Sequence, residues 1–513
     1  MEKFGRIAGR LVTCAGAVYS IARVPGPSSV SVEVRLTGWV MRVRTLLAVA
    51  VAGVTALGLA GCGTVHNLPL NEPSANPLSG IITRAAAAAE RPMGPRLALS
   101  EGNVVALSFS GGGTRAAAFS FGVLEQMART PSPGGGRDLL DHIGMVSGVS
   151  GGAISASYFG LKGRAALADF REQFLTQDLM SQLRTDVSLV NIGRAIGGGA
   201  NTDEALRQWL DARLYHGATF GDLIARGRPI TLINATDIYS RTPFLFVPQT
   251  FLALCSDLNK YPLAAGVAAS AAVPGAFAPV VVEAFPDQCQ TPLPQEIERA
   301  ANNPTGSPLV HAYARSLVSL RTGGVKYVKL LDGGLVDNYG LSGITIALAL
   351  SGMPYGPLQP REAINMRRLL FLVVDSGRGP SGNWAHTVEG PSGKDLISAV
   401  VDATIDANTR SSYAAFEASM KNWHDDLVRW RCSLKPAQVD QLRGHGGPWN
   451  CRDVKFLIGR VSFDQFGAGE ARRLNAVPTS FTLPVATVDE LRQAGGEALR
   501  TNPTFQQFLR ETK

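Results

Sequence analysis

Five near-continuous apolar runs constrain the fold of this chain most: Val104–Phe109, Ile143–Val146, Ile230–Asn234, Val325–Leu331 and Leu369–Asp375, separated by helix-like stretches. A strand that is apolar on both sides needs cover on both faces, and strands alternating with helices build a mostly parallel sheet. The chain therefore reads as α/β, a central sheet flanked by helices on both faces, with no internal repeat. Sheets of this kind do their chemistry beyond the carboxyl ends of the strands, so the residues that follow each run matter most.

After the second run comes Gly148-Val149-Ser150-Gly151-Gly152, a Gly-x-Ser-x-Gly pattern between a strand and a helix. A tight strand-to-helix turn strains the backbone at the serine and leaves no space for side chains beside it, the setting of an exposed nucleophile. After the first run comes Ser110-Gly111-Gly112-Gly113-Thr114-Arg115, then the helix-like Ala116–Met127. Three glycines at a helix start present backbone N–H groups that stabilise an oxyanion. The loop has neither a Gly-Lys-Ser/Thr ending nor Gly-x-Gly-x-x-Gly spacing, which argues against a nucleotide site. The fourth run ends at Asp332-Gly333-Gly334, with Asp337-Asn338 shortly after, placing a carboxylate at a strand end as a base.

In these pieces the chain resembles the patatin-like phospholipases, over about Asn103 to Leu341. Gly111–Arg115 matches the oxyanion loop, Gly148–Gly152 the elbow and Asp332–Gly334 the aspartate motif. Ser270-Ala271-Ala272-Val273-Pro274-Gly275-Ala276-Phe277-Ala278-Pro279 is similar to the family's small-residue helix end and proline turn. The resemblance implies a three-layer patatin-like fold and a serine acyl hydrolase with a Ser150–Asp332 dyad. It also implies an oxyanion hole at Gly111, Gly112 and Gly113, with Gly112 and Gly113 preferred, and phospholipid, lysophospholipid or another acyl ester as substrate. Arg115, Gly148, Gly152, Gly333 and Gly334 take supporting roles. Ser110 stands where plant members usually carry aspartate, and Ala116 where glycine is common.

The nearest rival is an esterase with a Ser-His-Asp triad, which needs a histidine after the aspartate. His386, His424 and His445 qualify by order, yet each lies in a polar, irregular stretch and reads as a surface histidine. A catalytically inactive envelope scaffold on the same fold is the alternative of a different class. No His/Cys cluster has metal spacing, so neither metal nor cofactor is expected.

The beginning of the chain carries a second message. Met41-Arg42-Val43-Arg44 is basic, Thr45–Leu59 is apolar, and Leu59-Ala60-Gly61-Cys62 ends the run. This is a secretory signal, too short for a convincing spanning helix, and its ending resembles a bacterial lipobox. Cys62 is then the lipidated residue, and Gly63 after it implies outer-membrane delivery facing the periplasm. Seven of the 49 basic and two of the 41 acidic residues lie within 1–62, so the net charge of +8 falls to about +3 beyond the signal. That removes any case for nucleic-acid binding. With Cys14 in the leader and Cys62 acylated, Cys255, Cys289, Cys432 and Cys451 remain, an even number in an exported protein. Sequence order favours the pairs Cys255–Cys289 and Cys432–Cys451.

The expected organisation is a leader over 1–40, a signal peptide over 41–61 and a lipidated tether over 62–95. A catalytic domain over 96–380 follows, then an irregular extension over 381–513 packed on it.

Overall fold

The computed structural model describes residues 66–78, 102–132, 137–183, 198–377, 379, 384–444 and 448–512. All of these belong to one unit, spanning Ala60–Lys513. The leader, the signal segment, Cys62 and His445 lie outside the described residues.

Eight strands form one sheet: β1 (Asn103–Phe109), β2 (Ile143–Val149), β3 (Ile230–Asp237), β4 (Thr242–Leu245), β5 (Val280–Glu283), β6 (Tyr327–Asp332), β7 (Arg368–Asp375) and β8 (Lys455–Ser462). The order is β5-β6-β3-β2-β1-β7-β8, with β4 also paired to β3. β3, β2, β1, β7 and β8 run parallel, while β4, β5 and β6 are antiparallel to their neighbours. Alternate side chains enter opposite cores, as strand geometry requires. Val105, Leu107 and Phe109 face one core with Leu370, Leu372 and Val374, whereas Val104 and Ala106 face the other with Leu369, Phe371 and Val373. The runs of β1 and β7 are thus explained by burial on both faces, whereas β6 alternates buried and half-exposed residues.

Helices α1 (Gly113–Arg129) and α2 (Gly151–Lys162) follow β1 and β2, and α3 (Leu263–Ser270) precedes β5. Helix α4 (Gly393–Ser433) covers the second core with Phe416, Met420 and Leu427. Helix α5 (Val485–Thr501) packs against α1, where Arg492 reaches Glu125 at 2.6 Å.

The expectation of an irregular C-terminal extension is corrected. Residues beyond 381 supply β8, paired along its whole length with β7, and the helices that cover both faces. The stretch looked irregular because α4 is polar along most of its surface and its few core residues are widely spaced. The tether also differs from expectation: Asn67 donates to Ala278 O and Pro279 O at 3.0 Å, and Asn71 exchanges hydrogen bonds with Glu283 at 2.8 and 2.9 Å. Part of it is therefore a strap bound to the domain.

Cys432 and Cys451 form a disulfide at the end of α4. The Cys255–Cys289 pairing is not made, and both are free thiols. Cys289 Sγ points to Leu252 O at 3.7 Å, and Arg321 donates to Cys255 Sγ. Burial pushes the Cys255 thiol up to about 12, which keeps it protonated.

Candidate active site

β2 delivers Ser150 to the N-terminus of α2 at φ 54°, a left-handed conformation that a serine holds only under constraint. The flanking glycines are required by contact. A Cβ on Gly148 would lie 2.5 Å from Gly152 O, and one on Gly152 would lie 2.4 Å from Phe109 O. The constraint on Ser150 itself comes from α3. Its N–H donates to Ser270 Oγ at 2.9 Å, and the Ser270 hydroxyl donates to Asn234 O at 2.6 Å.

The same helix end holds the aspartate. Asp332 N–H donates to Ala272 O at 2.9 Å and Gly333 N–H to Ser270 O at 3.2 Å. Asp332 lies opposite Ala235 on β3, while Val149 lies opposite Asn234 on that strand, which brings the two motifs together. β6 runs antiparallel to β3, so it enters from beyond the carboxyl edge, and Asp332 at its end lies level with Ser150. The Asp332 carboxylate accepts Gly334 N–H at 2.8 Å and lies beside the Ser150 side chain. Burial pushes its pKa up to about 6, partly offset by those two groups.

In the glycine loop, Ser110 N–H donates to Val374 O at 3.0 Å and Thr114 N–H to Ser480 O at 2.8 Å. Gly111 N–H is shared between Asn338 O and Asn338 Oδ1, both at 3.1 Å. Gly111 was expected among the oxyanion donors; its N–H is already committed, so that assignment is corrected. Gly112 and Gly113 N–H make no backbone hydrogen bond among the described residues. A Cβ on Gly111 would sit 3.4 Å from Ser150 Cβ, which places the loop against the nucleophile. Arg115 is buried and donates to Val477 O at 2.6 Å, a role in holding the loop. The departure at Ser110 is accommodated by Ser376, whose N–H donates to Ser110 Oγ at 3.0 Å.

Among the described residues no histidine bonds to Ser150 or Asp332. His424 sits 3.1 Å from Val454 O, just before β8 begins, at the amino end of the sheet and away from Ser150. His386 is exposed.

Residues 107–344 match the family model described as patatin-like phospholipase. The chain carries a patatin-like phospholipase domain. Among solved structures it is similar to human GIVD cytosolic phospholipase A2, at 12% identity and a TM-score of 0.39, over 88% of this chain and 65% of that one. The chain thus spans about two-thirds of that protein's length. No curated protein matches it. The loop at 477–480 that braces the patatin-like domain's glycine triplet lies outside the matched region, as does β8.

Asn338 and Ser270 are the positioning residues that motif reading missed. Both were visible in the sequence, Asn338 after the aspartate motif and Ser270 at the small-residue helix end. What each one touches depends on contacts more than a hundred residues away.

Proposed function

We propose that this protein is a serine acyl hydrolase that cleaves carboxylic ester bonds of phospholipids or lysophospholipids. The observation that carries the reading is the buried Asp332 carboxylate, raised to about 6 and set beside Ser150, with the Gly112 and Gly113 N–H groups making no backbone hydrogen bond among the described residues. Ser150 Oγ attacks the ester carbonyl while Asp332 takes its proton. The carbonyl oxygen, now negative, is met by Gly112 and Gly113 N–H at the start of α1. On collapse Asp332 returns the proton to the departing alcohol, leaving the acyl group on Ser150. Asp332 then takes a proton from water as it attacks the acyl-enzyme, and Ser150 is regenerated.

An aspartate of ordinary acidity is a poor base at neutral pH, and burial brings Asp332 closer to the working range. The lipid substrate is supported by the family description of residues 107–344. Acylation of Cys62 after signal cleavage holds the domain at a bacterial envelope membrane in this account; a fatty-acid label that enters the protein and vanishes in Cys62→Ser tests that part. For the chemistry, Ser150→Ala and Asp332→Asn each reduce acyl-ester hydrolysis to near background in folded protein. His386→Ala, His424→Ala and His445→Ala retain most activity. A loss of about 10³-fold at any histidine would establish a triad instead.

A further inference from the structure

β3 continues past the level of Ser150, since Asn234 lies opposite Val149 and the strand runs on to Asp237, about 10 Å farther. β6 pairs with that extension, Leu330 opposite Asp237, and its first residue Tyr327 lies about another 10 Å out. The β3–β4 turn and the outer ends of β5 and β6 therefore project from the same end of the sheet as the active site.

This projection is apolar and aromatic at its surface. Tyr239 is 70% exposed and Tyr327 42%, with Ile238 in the turn at 39%. The strap adds Leu68 at 75% exposure and Leu70 beside it. Backbone and strand pairing link the segments that carry these residues. Ile238 N–H donates to Lys329 O at 3.1 Å, Tyr327 lies opposite Glu283, and Glu283 holds Asn71 of the strap. The turn is preorganised, because Asp237 Oδ1 accepts the N–H groups of Tyr239 and Ser240 at 3.0 and 3.3 Å.

Cations frame the patch. Lys326 and Lys329 lie 5.2 and 5.4 Å from the Tyr327 ring centroid, and Arg241 is exposed in the turn. Tyrosine with an apolar body and a polar tip, mixed with aliphatic residues and lysines, suits the boundary between acyl chains and anionic headgroups. Chain length agrees: Cys62 is five residues before Asn67, so an acyl chain on it would attach within about 18 Å of the Asn67 backbone, which the strap ties to Ala278 and Pro279.

We infer that the surface formed by Leu68, Leu70, Ile238, Tyr239 and Tyr327, with Lys326 and Lys329, docks on an anionic lipid bilayer and presents the Ser150 site to it. The inference rests on the proposed lipid hydrolase reading. The test uses the signal-cleaved chain beginning at position 62 and carrying Cys62→Ser, so that neither the apolar signal segment nor acylation contributes, in sedimentation with vesicles of phosphatidylcholine alone or mixed equally with phosphatidylglycerol. The parent sediments with mixed vesicles, and Tyr239→Ser/Tyr327→Ser weakens that binding at least about tenfold. Lys326→Gln/Lys329→Gln removes the preference for mixed over neutral vesicles. Turnover of a monomeric short-chain ester is unchanged in both variants, which shows that fold and chemistry are intact. A parent that does not sediment, or a tyrosine variant that binds within about twofold of it, overturns docking and leaves the patch to a protein partner. Vesicle binding without ester turnover in any form would leave docking standing and remove the hydrolase reading.

Discussion

The hydroxyl of Ser270 accepts the backbone N–H of Ser150 at 2.9 Å. One side chain at the end of α3 therefore fixes the nucleophile, while the backbone of the same helix end fixes Asp332 and Gly333. Ser270→Ala leaves the Ser150 N–H and Asn234 carbonyl unpaired in a buried site, at a cost of about 1–3 kcal/mol per group. The nucleophile also loses its register, so kcat on a soluble ester falls about tenfold or more while KM changes little. Denaturant titration and steady-state kinetics separate the two effects. A KM change at constant kcat would assign Ser270 to substrate binding.

Asp332 predicts opposite trends for activity and stability. In the proposed role of base it must be ionised, so kcat/KM on a monomeric ester rises with pH through about 6 and levels off above it. Its folded pKa is raised above the ordinary 3.8, so the folded state binds the proton more tightly than the unfolded one. Its contribution to stability is therefore fully present below pH 3.8 and is lost as pH rises through about 6, up to about 3 kcal/mol. Asp332→Asn abolishes turnover and raises stability at neutral pH by up to that amount. Lower stability in the variant would mean that the carboxylate's hydrogen bond from Gly334 outweighs the burial of charge.

Asn338 couples the aspartate segment to the glycine loop through Gly111 N–H. Asn338→Ala loosens Gly112 and Gly113 relative to Ser150 and lowers kcat by about 10–10²-fold, a fraction of what losing an oxyanion donor costs. Asn338→Asp keeps an acceptor for Gly111 but puts a second carboxylate near Asp332, so the acid limb of its pH profile moves upward. An unmoved limb with full activity would detach Asn338 from the site.

Much of this was legible in the sequence because strands buried on both faces and glycine-bounded turns leave strong local marks. Ser150, Asp332 and the glycine triplet could each be located from the residues beside them. The donor status of Gly111 could not, since Asn338 is 227 positions away. Likewise β8 has a weak pattern: as an edge strand it alternates buried and exposed residues instead of forming a solid apolar run. Cysteine parity suggested two disulfides, but parity carries no geometry, and Cys255 and Cys289 are free thiols.

The single disulfide gives a further expectation. Reduction of Cys432–Cys451, which closes a loop with a sequence separation of 19, lowers stability by about 3 kcal/mol in the chain-entropy model. Soluble-ester turnover survives, because the bond ties α4 to the segment before β8 at the amino end of the sheet. Peptide mapping of unreduced, denatured protein finds Cys255 and Cys289 alkylated and Cys432 and Cys451 protected. Alkylation of all four would contradict the structure.

In the proposed mechanism Ser150 is a nucleophile activated without a histidine. Incubating the folded protein with a fluorophosphonate probe and mapping the adduct by mass spectrometry tests this most directly. The account predicts one adduct per chain, on Ser150, undiminished in the His386→Ala, His424→Ala and His445→Ala variants and strongly slowed in Asp332→Asn. An unlabelled Ser150 in folded protein, or labelling abolished by one histidine substitution, would contradict it.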